Sequence, residues 1–434
     1  MIKKFIICTI VVCSTLSQAQ QGTSSPYSFY GIGSLKFKGT VENQSMGGLS
    51  VYTDSIHINL RNPASFAGKN LSFYNNEARP VKYAIGTSFS STKLKTATAS
   101  DDASNSSVDY LAIVLPTGKF GFGFGLIPYS SVGYQLQSRD ENDKLQYRYR
   151  GEGGINKVFF GAGYQLNDIL KIGIDAHYNF GSITNTEIAF GYNGQGQLLQ
   201  YQSRKIKRSD LGGFSFNFGL AFAKNISKNL ELMATATYSP QTNLNSNNNS
   251  QFATITIDNN DKEYVINSSE VDLAALNLDN TSLSLPSKTS FGIGIGRPRK
   301  WFAGIDYTFL IASELDNDFV SVENASYEDA STISIGGFFI PKYDSFSSYF
   351  KRVVYRAGVR LEQTGLVVND ESINEFGISF GVGVPVGRLF SNANVAFEIG
   401  QRGTTTSNLV QENFFNVNIS LSLNDRWFEK RKFN

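Results

Sequence analysis

The chain has 434 residues with 40 glycines, 10 prolines, 13% aromatic side chains, and 39 basic against 37 acidic groups. This near-balance excludes the concentrated positive charge that a nucleic-acid partner requires. Both cysteines, Cys8 and Cys13, lie close to the N-terminus, so the rest of the chain has neither a disulfide nor a thiolate metal site.

The N-terminus reads as an export signal. Lys3 and Lys4 precede an apolar run from Phe5 to Val12, and Ser17-Gln18-Ala19 offers a small-x-small cleavage site. Residues 1–19 are therefore expected to be removed, leaving 37 basic and 37 acidic side chains. No segment approaches the roughly 20 consecutive apolar residues of a spanning helix, so any crossing of a membrane must use strands. The mean hydropathy of −0.20 is compatible with that, because only one face of such a strand meets lipid.

Residues 20–79 lack sustained alternation but carry Ser45-Met-Gly-Gly-Leu-Ser-Val51 and Asn62-Pro-Ala-Ser-Phe66. Placed ahead of the first strand, the segment is expected to fold into the mouth of a barrel as a hatch, in the manner of a plugged lumen.

Alternation and turn signals then predict fourteen strands, at about 80–94, 107–116, 119–137, 145–165, 168–190, 197–224, 228–243, 284–297, 299–314, 329–340, 351–366, 372–386, 391–403 and 411–424. Side chains on a strand alternate between its faces. Phe120, Phe122, Phe124 and Leu126 thus oppose Gly121, Gly123 and Gly125, while Phe376, Ile378, Phe380, Val382 and Val384 oppose Gly377, Ser379, Gly381 and Gly383. The same division recurs along the chain, leaving too few bulky residues for an interior. The expected fold class is all-β, a transmembrane antiparallel β-barrel over residues 80–424 with its apolar face outward.

The connections support this. Short turns at 116–119, 166–168, 224–229, 297–300 and 386–391 follow even-numbered strands, with the longer Pro341 to Arg352, which has room for a short helix, as the exception, and longer segments such as 244–283 follow odd-numbered ones. Outer-membrane barrels place their short turns in the periplasm. The parity puts 244–283 outside the cell and 341–352 in the periplasm, with residues 425–434 as a periplasmic tail. Trp301 and Tyr164 fall at the periplasmic ends, and Tyr178, Tyr238 and Tyr307 higher up, as two aromatic girdles would. Asn-rich 242–250 reads as a solvated loop tip.

Candidate chemistry is sparse. The two histidines are His57 and His177, and Asp175, His177 and Ser182 nominally allow a triad. Polar side chains are expected throughout a lumen, so no catalytic residue is assigned. Two isolated histidines without cysteine partners argue against a metal site, and no cofactor is expected. The Gly-x-Gly run Gly121-Phe-Gly-Phe-Gly125 lies within a strand, where the glycines make room in the lumen. Two features remain. Arg356, Arg360 and Glu362 on the eleventh strand and Glu398 and Arg402 on the thirteenth face away from lipid, forming a lumen polar network or a ligand site. Pro128 interrupts the third strand, where the missing donor forces a bulge, an edge or a gap.

Met46-Gly-Gly48, Asn62-Pro-Ala64, the Gly-rich third strand running into Pro128-Tyr129 and the fourteen-strand count together resemble the FadL-type hydrophobe transporters. The final third, with Phe339-Ile-Pro-Lys-Tyr-Asp-Ser345, Tyr355-Arg-Ala-Gly358, Arg402-Gly-Thr-Thr405 and Asn424-Asp-Arg-Trp-Phe428, is similar to a branch found alongside type IX secretion. The resemblance implies residence in the cell outer membrane among its lipid, and passage of fatty acids or similar molecules into the bilayer. It also implies a hatch and side opening involving Asn62, Pro63, Ala64, Pro128 and Tyr129. The related secretion barrels imply an alternative, a non-transporting subunit whose partner is a larger secretion barrel. Asn62-Pro-Ala64 is then expected near Pro128.

Overall fold

Bulky residues alternate with small ones over most of the chain, and in the structure this becomes an inside and an outside. The computed structural model describes residues 22–54, 57–68, 81–315, 317, 319, 324–386 and 391–425. The expected signal peptide and the tail 426–434, with Trp427 and Phe433, lie outside the described residues.

Fourteen antiparallel strands form the wall. They are β1 (Val81–Lys95), β2 (Ser100–Thr117), β3 (Phe120–Arg139), β4 (Leu145–Gln165), β5 (Leu170–Ala189), β6 (Gln202–Ser227) and β7 (Leu230–Ser239), then β8 (Lys288–Arg297), β9 (Trp301–Leu310), β10 (Ala330–Phe339), β11 (Val354–Val368), β12 (Glu371–Pro385), β13 (Asn392–Arg402) and β14 (Gln411–Asp425). Each pairs with its neighbours, and β14 returns to β1 from Asp425↔Val81 to Gln411↔Lys95, closing the ring. Closure removes the free edges, which is what lets strands sit where water cannot satisfy backbone groups. Phe124, Phe160, Phe216, Phe291, Ile335 and Phe380 are exposed on the outer face.

The wall departs from expectation above its middle. Residues 242–250 are a strand, not a solvated tip: Thr242–Ile257 pairs with the first half of β6, from Asn245↔Gly212 to Ile255↔Gln202. Its asparagines belong to the ladder, and Leu244 and Ile255 are fully buried. Tertiary pairing overrides the low strand propensity of Asn. Pro240, which cannot donate to the ladder, falls at the break between β7 and this extension. Glu263–Glu270 and Asn280–Leu285 pair with its other edge, so the segment 244–283 is largely a sheet. The 95–106 connection likewise shrinks to a tight turn, because β2 begins at Ser100 and pairs with β1 from Lys95↔Ser100.

The lumen is filled by residues 22–54 and 57–68. The helix Val41–Gln44 starts at Thr40, whose backbone N–H donates to Asn43 Oδ1 at 3.1 Å, closing a capping box. Gly47 and Gly48 have φ of +70° and +88°, a turn that a side chain would strain. The turn rests on Gly336 and Gly358, where an added Cβ would collide with Met46. Ser50 donates from N and Oγ to Asp306 Oδ2 at 2.6 and 2.7 Å, and Gly47 N donates to Ser379 Oγ at 2.8 Å. Leu49 and Val51 are buried among Met233, Phe302 and Phe338 of β7, β9 and β10. Val41, Leu60 and Phe66 meet Tyr110, Val114, Ile127 and Phe159 on the opposite side. The small inward face of the strands therefore makes room for a core supplied by the N-terminal segment.

Two outcomes are expected. Gly358→Val should dislodge the Met46–Gly48 turn at a cost of about 1–3 kcal/mol, as overpacking does; proteolysis within 22–68 should rise while the barrel keeps its heat-resistant mobility on gels. Protease added to intact cells should cut near 258–262 and spare 341–352, and cleavage of 341–352 would contradict the parity of the turns.

Candidate functional site: a breach in the wall and the segment that fills it

β3 pairs with β4 along its whole length but with β2 only from Thr117↔Phe120 to Leu111↔Leu126. Above Leu126 the two strands part, and residues 100–110 of β2 pair only with β1. Pro128 stands at the point of separation. It remains in the strand, opposite Asn156 of β4, and the register slips between Pro128 and Ser130 so that Tyr129 is an unpaired bulge residue. Its ring lies under Lys157 Nζ, 3.8 Å from the centroid.

The N-terminal segment takes up the exposed edge. Ser34 and Leu35 pair with Ser131 and Ser130, and Lys36 N donates to Tyr129 O at 3.0 Å. Gly33, at φ +83°, packs against the Ser131 carbonyl so closely that a side chain has no room. Nearer its start, the same segment touches both sides of the breach: Asn105 Nδ2 of β2 donates to Gly22 O at 3.1 Å, and Gly133 N of β3 donates to Ser28 Oγ at 3.1 Å. It is moored to β14 by a short hydrogen bond from Ser25 Oγ to Glu412, and at the start of that strand by Tyr27 OH donating to Val410 O at 2.6 Å. Leu35 is 41% exposed in the breach.

Behind the breach lies a cavity of about 90 Å³ lined by Tyr27, Tyr30, Ile32, Leu35, Tyr129 and Leu366. A larger space of about 800 Å³ opens at the other end of the lumen, below the helix Val41–Gln44, between Tyr52, Met233, Phe338 and Arg356. On its wall Asp54 Oδ2 contacts His57 Nδ1 at 2.6 Å. Burial would raise the Asp54 pKa, but the charge and hydrogen bonds of His57 prevail and hold it well below the carboxylate range.

Asn62, Pro63 and Ala64 lie elsewhere. Asn62 Oδ1 accepts from Ala64 N at 3.0 Å, capping the turn Pro63–Phe66, and its Nδ2 donates to Leu220 O of β6 at 3.0 Å. Pro63 and Ala64 rest on Gly163 and Gly173, and Phe66 on Gly121 and Gly123. The corner thus seats on β4, β5, β6 and the lower part of β3. The residues that flank Pro128 come from 33–36 instead. No sequence motif marked that stretch, and only the free edge above Leu126 selects it.

The charged residues converge, with a centre that the sequence reading left out. Glu375, fully buried on β12, receives Arg360 Nη2 at 2.5 Å, Arg402 Nε at 2.7 Å, and Lys38 from the lumen segment. Arg360 also meets Glu398 at 2.7 Å and Glu362 at 3.4 Å. Arg356 stands apart, donating to Asn394 Oδ1 at 3.1 Å, and Asn394 in turn donates to Glu42 at 2.9 Å. Glu375 shares the inward face of Gly377 and Ser379, so alternation alone could have named it. The network joins three wall strands, β11, β12 and β13, to the lumen segment through Lys38.

Asp175, His177 and Ser182 form no triad. Asp175 accepts from Asn217 at 3.4 Å, and His177 packs edge-on to Phe159 at 6.4 Å between centroids. Gly377-Ile-Ser-Phe-Gly381 has the spacing of a nucleophile elbow, but it runs straight through β12, and Ser379 Oγ accepts from Gly47 N.

Removing one member of a buried ionic set costs about 3–5 kcal/mol. Glu375→Ala should therefore lower the thermal midpoint more than Glu398→Ala, since the Glu398 side chain keeps 10% exposure and leaves Arg360 with Glu375. Equal midpoints in calorimetry would mean that water already screens the cluster.

Comparison with solved structures places the barrel among known folds. The toluene transporter TbuX of Ralstonia pickettii superposes with a TM-score of 0.57 at 15% identity, over 89% of this chain and 98% of that one. The toluene transporter TodX of Pseudomonas putida gives 0.58 at 15%, over 90% and 99%. A FadL homologue of Pseudomonas aeruginosa gives 0.54 at 12%, over 89% and 98%. At such identities the likeness is one of fold. No curated protein matches the chain in sequence. A sequence profile of the BamG family matches residues 1–434, and the chain belongs to that family.

Proposed function

We propose that this chain is an outer-membrane barrel that lets a small hydrophobic molecule, such as a fatty acid, enter the bilayer sideways between β2 and β3, with residues 22–68 as the hatch. One observation carries the reading: the ladder between these strands ends at Leu111↔Leu126, and the space above is filled by residues 22–36 of the N-terminal segment. An apolar solute gains about 25 cal/mol per Å² on leaving water, so a lateral exit runs downhill. The cavity beside Tyr129 and Leu35 lies on that route. Its walls are mostly aromatic and aliphatic, and its size suits one ring or a short stretch of alkyl chain. Membrane residence is supported by ring closure and by the apolar outer face. The likeness to toluene transporters agrees with a hydrophobe as cargo. The reading assigns no reaction and no cofactor.

The gate in this proposal is the filling segment. A typical hydrogen bond contributes only about 0.5–1.5 kcal/mol net, so the few that bind 33–36 to β3 can open without unfolding the barrel. Ser34 and Ser131 are register partners, and an S34C/S131C disulfide should lock the breach. Uptake of a radiolabelled medium-chain fatty acid should fall on oxidation and recover on reduction. Uptake indifferent to the crosslink, together with co-purification of a larger barrel, would favour the alternative of a non-transporting secretion subunit. Pro128→Val, which restores a donor at the point of separation, should also slow uptake while leaving the barrel intact.

A further inference from the structure

Three aromatic side chains stand abreast where β9, β10 and β11 reach the short-turn end of the barrel. Trp301 is the register partner of Phe339, and Phe339 of Tyr355. They share the outward face with Ile305, Ile335 and Val359, all exposed, and so terminate the apolar belt.

The connection from Pro341 to Val353 folds back against this row. Tyr355 OH donates to Phe350 O at 3.3 Å, Tyr349 OH donates to Pro385 O at 2.7 Å at the end of β12, and Lys342 N donates to Lys351 O at 2.8 Å. The turn Tyr349–Arg352 is thereby fixed beside the belt. Phe346 is 105% exposed and Phe350 75%, with Tyr349 between them also exposed. Single exposed apolar residues are ordinary on any surface. Phe346 borders the large space of the lumen, but Tyr349 and Phe350, neighbours in the chain and hydrogen-bonded to the rim of a lipid-facing wall, form a patch continuous with that wall. Cations accompany them: Lys342 and Lys351 are exposed in the same connection, and Arg297 and Lys300 in the neighbouring β8–β9 turn, against Asp344 as the exposed acid of the connection.

We propose that this connection is a membrane-surface anchor whose occupant is phospholipid. Phe350 and Tyr349 enter the headgroup region of the leaflet at the short-turn end, while Lys342, Lys351, Arg297 and Lys300 meet its phosphates. Aromatic rings prefer that boundary because they present an apolar body and a polarizable face to a half-wet layer, and basic side chains close to it are attracted to anionic headgroups. A helix or strand across the bilayer is held in depth by such contacts; here an irregular connection supplies them. The inference rests on the reading of the chain as a membrane barrel.

The test uses the full chain reconstituted in vesicles of phosphatidylethanolamine and phosphatidylglycerol whose acyl chains carry bromine. Phe350→Trp is compared with Phe380→Trp, a mid-belt position on β12, and the emission of Trp301 and Trp427 is subtracted with the parent protein. The expected result is a blue-shifted emission at position 350 that loses intensity to brominated lipid and resists aqueous iodide. Quenching of F380W by lipid, with F350W quenched by iodide alone, would overturn the anchor and leave the patch facing water or a protein. If F380W too escapes the brominated lipid, the barrel reading itself fails and takes the anchor with it.

Discussion

Backbone polarity is the constraint on which this structure depends. Peptide groups inside a hydrocarbon layer must find partners within the protein; fourteen strands paired in a closed ring supply them, with a breach above Leu126 between β2 and β3. The fold meets this breach by supplying another piece of backbone. Residues 34–36 present their own peptide groups to the edge of β3, and residues 22–28 occupy the space on toward β2. The N-terminal segment thus supplies the core of the lumen and stands in for a strand at once. Its positions are correlated: the turn on Gly358, the cap on β6 and the edge on β3 are all set by one continuous chain.

Much of the wall was legible because the code is binary. A period of two with a small inward face allows little but a barrel turned inside out, and strand limits came close wherever turns carried Gly, Pro, Asn or Asp. β4 matches its expected span, and β12 and β13 shift by about a residue. The reading failed where tertiary pairing decided the outcome. Asparagines of the 242–250 run have low strand propensity, yet an unpaired upper β6 offers a template that local propensity cannot see. Within the site, alternation put Arg360, Glu362, Glu398 and Arg402 on the inner face, but their meeting point, Glu375, was passed over. The expected neighbour of Pro128 was also mistaken. Asn62-Pro63-Ala64 is a conspicuous motif because its turn needs a cap and a fixed φ, whereas residues 33–36 bind through backbone groups that any sequence carries.

The cluster around Glu375 explains how a narrow stretch of lumen tolerates so many charges. Burying an ion is costly unless it is paired and hydrogen-bonded. Here one carboxylate receives two guanidinium groups and an ammonium, and the carboxylates of Glu398 and Glu362 stand as further ion-pair partners of Arg360. Because Lys38 comes from the lumen segment, the charge balance of the wall is complete only when that segment is in place. Seating that segment is in this sense an electrostatic requirement of β11–β13 as much as a matter of packing.

The ring closes where β1 and β14 meet over fifteen register pairs, from Val81↔Asp425 to Lys95↔Gln411. The segment they enclose precedes β1 in the chain yet touches β3, β6, β9, β12 and β14. Ser25 and Glu42 of that segment bond to Glu412 and Ser422 of β14 itself, so the strand that closes the ring also fastens what the ring encloses.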